Sequence, residues 1–168
     1  MISVIRAQRD ANRRFIEIEN GVRSGTNVTW QDHMELLQAY EQRGNQQGAQ
    51  WVFDKLLAPG SAYTNADGFR QLFDYLVRRP SPDVPRAIAA LERVTELAPG
   101  DWNAWLSFAA VKFMVNDIDG CFAGIEKAIA IDRAQVSRRL WQDPRFQLLR
   151  ESPDPKVKER FQNLVQQQ

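Results

Sequence analysis

The chain has one histidine, His33, and one cysteine, Cys121. A lone imidazole cannot assemble a multi-histidine metal site, and a lone thiol cannot close an internal disulfide. His33 lies near the start of a helical stretch and is expected to be a half-buried packing residue. Cys121 is expected to act as a small hydrophobe, buried and slow to react. The carboxylate pairs Glu17/Glu19 and Asp117/Asp119 are two residues apart, a spacing that does not bring side chains together on a helix. Asp117 and Asp119 fit better as turn and cap residues. Phosphate-loop, nucleophile-elbow, zincin and Cys-x-x-Cys patterns are all missing from the sequence. These residues predict no catalytic centre, no cofactor and no metal, so the protein is expected not to be an enzyme.

Aromatic residues are the other candidates. In PGDWNAWLSF, residues 99–108, Trp102 and Trp105 follow a turn at three-residue spacing. They could stack a ligand or hold two helices together. Pro99 and Gly100 stop one helix and Asp101 caps the next, which predicts the packing role, with Trp105 wedged between paired helices.

Bulk properties narrow the function classes. The formal charge is +1, with 43% hydrophobic and 26% charged residues. Such a balance exerts no overall pull on nucleic acid or an anionic membrane. No run of about 18 apolar residues is present that could span a bilayer, and the N-terminus lacks the pattern of a signal peptide. A cytoplasmic protein, or the soluble part of a larger one, is expected.

Helical periodicity runs through most of the chain. Leu36, Leu37 and Tyr40 form one stripe, and Val52, Phe53, Leu56 and Leu57 a second; Phe69, Leu72, Phe73 and Leu76 follow, then Ile88, Leu91, Val94 and Thr95. Strand alternation is missing, so the fold class is all-α. Thr29 with Asp32 predicts a capping box. Gly44-Asn45, Pro59-Gly60, Asp83 with Pro85, Pro99-Gly100-Asp101, Asn116-Asp117, Asp143-Pro144 and Asp154-Pro155 mark helix ends.

The chain also matches itself. AIAALERVTELAP starts at Ala87, and CFAGIEKAIAIDR repeats its pattern from Cys121. Leu91 then meets Ile125, and Thr95 meets Ile129. The offset is that of a 34-residue helix–turn–helix period, and here the chain resembles the tetratricopeptide repeat (TPR) family. The clearest copy starts at Trp102, with Trp105, Phe108, Ala109, Cys121 and Ile125 in the motif slots and Lys112 in place of its Tyr. An earlier copy starts at Trp30, with His33, Leu36, Leu37, Tyr40, Ala49 and Phe53. A looser one lies between them, its loop RRPSPDVP two residues long for the pattern. The resemblance implies a right-handed α-solenoid of about three helix pairs, at about 30–65, 66–101 and 102–135, with a capping helix at 1–28 and capping helices at 136–168. DPRFQLLR in the last segment resembles the tail that closes some bacterial TPR arrays, with Leu140, Trp141, Phe146 and Leu149 as lid material.

What the resemblance implies about function is recognition. First helices of successive repeats would line a concave groove, here with Met34, Gln38, Arg70, Asp74, Asn103, Leu106, Phe113 and Met114. A partner peptide or helix would lie along it, and Leu106, Phe113 and Met114 would be apolar anchors, unless Phe113 and Met114 pack under the lid. The slots used by the chaperone-tail-binding subgroup hold Met34, Gln38, Gln71, Asn103 and Ser107, none cationic, so acidic chaperone tails are expected not to bind there. A mixed-charge N-terminal helix with Arg6, Arg9, Arg13 and Arg14 against Asp10, Glu17 and Glu19 predicts a solvated face. The alternative is a soluble C-terminal tail of a larger protein, membrane-bound or not, with a docking or structural role. Self-association is a further expectation left open, and no nucleic-acid partner is expected.

Overall fold

The computed structural model describes residues 2–26, 28–58, 61 and 63–166, with side chains from residue 5 onward. Among the described residues there are ten α-helices and no strand. Two compact units divide the chain, Met1–Thr64 and Asn65–Gln168.

The first unit holds α1 (Ile2–Ser24), α2 (Trp30–Gln42) and α3 (Gln46–Leu57). Thr29 opens α2 with the expected capping box: its hydroxyl accepts from Asp32 N–H at 3.1 Å, and its own N–H donates to the Asp32 carboxylate at 2.9 Å. The hydroxyl thereby satisfies one of the orphan donors of the helix start, and the carboxylate satisfies the N–H of the cap residue itself. Gly44, at φ 66°, turns the chain back, and Asn45 caps α3 by accepting from Gly48 N–H. A side chain on Gly48 would run into the Tyr40 ring, so the glycine lets the two helices close up. Leu36, Leu37, Tyr40, Ala49, Val52, Phe53 and Leu56 are buried on this pair. The Pro59-Gly60 break lies outside the described residues.

Only the second half of α1 is covered. Ile18 and Val22 are buried, whereas residues 5–14 are all exposed, with Arg14 reaching Asp32 of α2 from among them. Helix α1 has 23 residues against 13 for α2, and at about 1.5 Å per residue it overhangs its neighbour.

The second unit repeats one device. Helices α4 (Ala66–Val77), α5 (Val84–Leu97), α6 (Trp102–Met114) and α7 (Ile118–Ile131) pack each on the next. Their N-caps are Asn65, Asp83, Asp101 and Asp117, every one accepting from a first-turn N–H. Asp83 and Asp117 stand at the same separation as Ala87 and Cys121. That separation also relates the buried faces of α5 and α7: Ala87, Ala90, Leu91, Val94 and Thr95 correspond to Cys121, Gly124, Ile125, Ala128 and Ile129, all buried. Asn116, at φ 61°, makes the turn before α7.

Helices α8 (Arg133–Gln142), α9 (Gln147–Arg150) and α10 (Pro155–Gln166) follow, with a 3₁₀ turn at Pro144–Phe146. Leu140, Phe146, Leu149 and Phe161 join Leu106, Phe122 and Ile125 in one core cluster. Trp141 does not belong with them. It is 50% exposed and meets Phe161 edge to face at 5.8 Å between ring centres. Asp143 is buried at the α8 end, where the guanidinium of Arg145 reaches its carboxylate at 2.7 Å and that of Arg139 at 3.4 Å.

Candidate functional site

The expected groove residues divide between the two units and between core and surface. In the first unit Gln38 is exposed but Met34 is buried, at 7%. Among those of the second unit, Leu106 is fully buried, at 0%, and Phe113 is partly buried against the same cluster. Met34, expected to line the groove, and Leu106, expected to be an anchor in it, are thus both buried in the core. On α6 the reason is rotational: Leu106 and Phe113 are seven apart and share the core side, while Met114 is 71% exposed. Asn103 is exposed, and Asp74 is exposed beside Arg78 at 3.7 Å. Arg70 is engaged: it pairs with Asp67 on its own helix and reaches Asp101 at 2.6 Å, tying α4 to the cap of α6. Four of the eight, Gln38, Asp74, Asn103 and Met114, therefore offer open side chains.

His33 is more deeply placed than its sequence position suggests, at 3% exposure. Its Nδ1 lies 3.0 Å from the Thr29 carbonyl oxygen, which accepts the ring proton in the tautomer that carries it on Nδ1. The Tyr63 hydroxyl is 2.9 Å from the same nitrogen, and the two rings meet edge to face at 5.1 Å. Burial pushes the imidazole below its ordinary value, against the opposing pull of the Thr29 carbonyl and Asp32. Cys121 is fully buried, and desolvation pushes its thiol up to about 12. It holds no thiolate near neutrality. Among the described residues no three His, Cys, Asp or Glu side chains converge as a metal site would require.

Trp105 is partly buried on the core cluster, not enclosed. Its indole N–H donates to the Pro99 carbonyl at 3.0 Å, and its ring meets Phe108 edge to face at 6.1 Å. The tryptophan therefore fastens the Pro99–Asp101 turn to α6.

Two open clefts flank one side-chain stack in the first unit. Arg43, at the end of α2, lays its guanidinium 4.0 Å from the centre of the Phe15 ring of α1. Tyr40 also meets that ring, edge to face at 5.3 Å, and donates its hydroxyl to Glu19 at 2.8 Å. On one side a cleft of about 600 Å³ reaches Arg23 and Trp51, themselves stacked at 4.7 Å. On the other a cleft of about 520 Å³ runs along Ala11, Ile18, Leu36 and Ala39. Sequence reasoning missed both, because Phe15 and Arg43 lie far apart in sequence on different helices. The one local hint was an arginine immediately before a helix-ending glycine.

The architecture is an all-helical, repeat-like one, and no helix among the described residues is long and apolar enough to cross a membrane. No protein-family model matches the chain, and no curated protein matches it.

Proposed function

We propose that the chain is a tetratricopeptide-type helical repeat protein, with about three helix pairs in a right-handed solenoid, that recognises a protein segment and carries out no reaction. The observation that carries this reading is the shared register of α5 and α7, whose buried positions and capping aspartates recur at one constant separation. A helix pair of that length buries its apolar face only against neighbours, and what remains open on the first helices is available to a partner. Gln38 in the first unit and Asp74, Asn103 and Met114 in the second are the residues left open. A cytoplasmic location is part of the proposal.

The test is affinity capture from the source cells by the immobilised chain, followed by purification of the captured protein. Gln38→Glu, Asp74→Lys, Asn103→Asp and Met114→Ala alter exposed side chains, so the fold should persist by circular dichroism. At least one should weaken binding of the purified partner roughly tenfold, as for a hot-spot side chain. A partner indifferent to all four would overturn the groove reading.

A further inference from the structure

We infer that the Phe15–Arg43 stack is the centre of a second recognition site, which takes an acidic segment of a partner protein with an aliphatic side chain beside the acid. The two clefts of the first unit share only these two residues. The other cations described in them are closed on neighbours. Arg23 donates to Glu19 at 2.8 Å, and Arg14 pairs with Asp32 at 2.5 Å and Glu35 at 3.5 Å. Arg43 alone among these cations has no carboxylate within ion-pair distance among the described residues. Its guanidinium donates to the Ala39 carbonyl and to Asn12 Oδ1, both at 3.3 Å. These bonds are long and go to neutral acceptors, so a carboxylate can replace them with shorter, charge-assisted ones.

The cation is also pre-positioned. Phe15 is fixed by the edge contact with Tyr40, and the arginine stacks on it, so less side-chain freedom is lost on binding. Next to it Ala11, Phe15 and Ala39 line the smaller cleft, a surface for an aliphatic side chain. Glu19 and Glu35 line the two clefts, so the one cation described there without a carboxylate partner, Arg43, matches a single carboxylate flanked by uncharged residues and not a continuous run of phosphates. None of these residues belongs to the proposed repeat groove, so this site stands or falls independently of that reading.

Fluorescein-labelled Gly-Ser peptides with one central Glu-Leu pair, the same peptides with Lys for Glu, and a single-stranded oligonucleotide should be titrated by anisotropy with the whole chain. The Glu–Leu peptide should bind. Arg43→Ala should weaken it about tenfold, the worth of one charge-assisted pair, Arg43→Glu should weaken it further, and Arg43→Lys should retain part of the affinity. Arg78→Glu, on the second unit, should leave binding unchanged. Absence of binding by the wild-type chain, full binding by Arg43→Glu, or equal binding of the Lys–Leu peptide or the oligonucleotide would each overturn the assignment.

Discussion

Gly124 on α7 lies so close to Ala109 on α6 that a methyl group in its place would stand 3.0 Å from the Ala109 Cβ and 3.1 Å from the Trp105 carbonyl oxygen. Both neighbours are backbone or fixed to it, so neither can swing aside. At the corresponding position of α5, Ala90 is accommodated at 0% exposure. The two helix pairs use one register at different depths of contact.

Gly124→Val should therefore destabilise the chain by about 2–3 kcal/mol, the scale of overpacking in a close helix contact. Urea unfolding followed by far-ultraviolet circular dichroism measures it. A valine variant as stable as the wild type would show that α6 and α7 can move apart freely. Ala90→Gly should cost about 1 kcal/mol from helix propensity alone, so the same register position should favour opposite residues in the two pairs.

His33 predicts a pH effect of definite sign. Its folded-state value lies below the ordinary one, so the unfolded chain binds the proton first. Stability from this residue is complete above about 6.5, the ordinary imidazole value, and is lost as pH falls below it toward the depressed folded value. Asp32 is held below the ordinary carboxylate value by hydrogen bonds from Thr29, so its loss comes at lower pH. The melting temperature of the wild type should drop between about pH 7.5 and 5.5, the range around that imidazole value, more steeply than that of His33→Gln. Parallel curves would remove His33 from the account.

The helix boundaries were legible because caps are local. Thr29 and Asp32 are three apart, and Asp83, Asp101 and Asp117 each bond an N–H two or three residues on. The register shared by α5 and α7 was legible for the same reason, as a pattern written along the chain. Facing was harder. Helix α6, WNAWLSFAAVKFM, is apolar on nearly every side, so periodicity could not tell the buried Leu106 from the exposed Met114. Of the expected lid residues, Trp141 alone is half exposed, because an aromatic's size says nothing of which side of α8 it occupies. The His33–Tyr63 and Phe15–Arg43 contacts join residues distant in sequence on separate segments, beyond any local rule.

Trp105 and Phe122 should rank in the order of their burial. Phe122 is at 0% exposure in the core cluster, whereas Trp105 packs at its edge. Phe122→Ala should cost about 3–5 kcal/mol, and Trp105→Ala less, because part of its ring already faces solvent. Trp105→Phe should cost about 1 kcal/mol by leaving the Pro99 carbonyl without its donor. Equilibrium denaturation of the three variants decides the order, and a Trp105→Ala loss exceeding that of Phe122→Ala would return the tryptophan to the centre of the core.

Cys121 gives the sharpest kinetic test. The thiol is fully enclosed and its acidity is suppressed, with Arg160 only partly offsetting burial. Disulfide exchange needs the thiolate and a path to it, so an aromatic disulfide reagent can react only through opening of the structure. Labelling of the native chain should be slower by orders of magnitude than in denaturant, and Gly124→Val should accelerate it in proportion to the stability it removes. Cys121→Ser places a hydroxyl in the same apolar setting and should cost about 1–3 kcal/mol, while Cys121→Ala should cost less. Native labelling as fast as unfolded labelling would mean that α7 does not hold this face against the core.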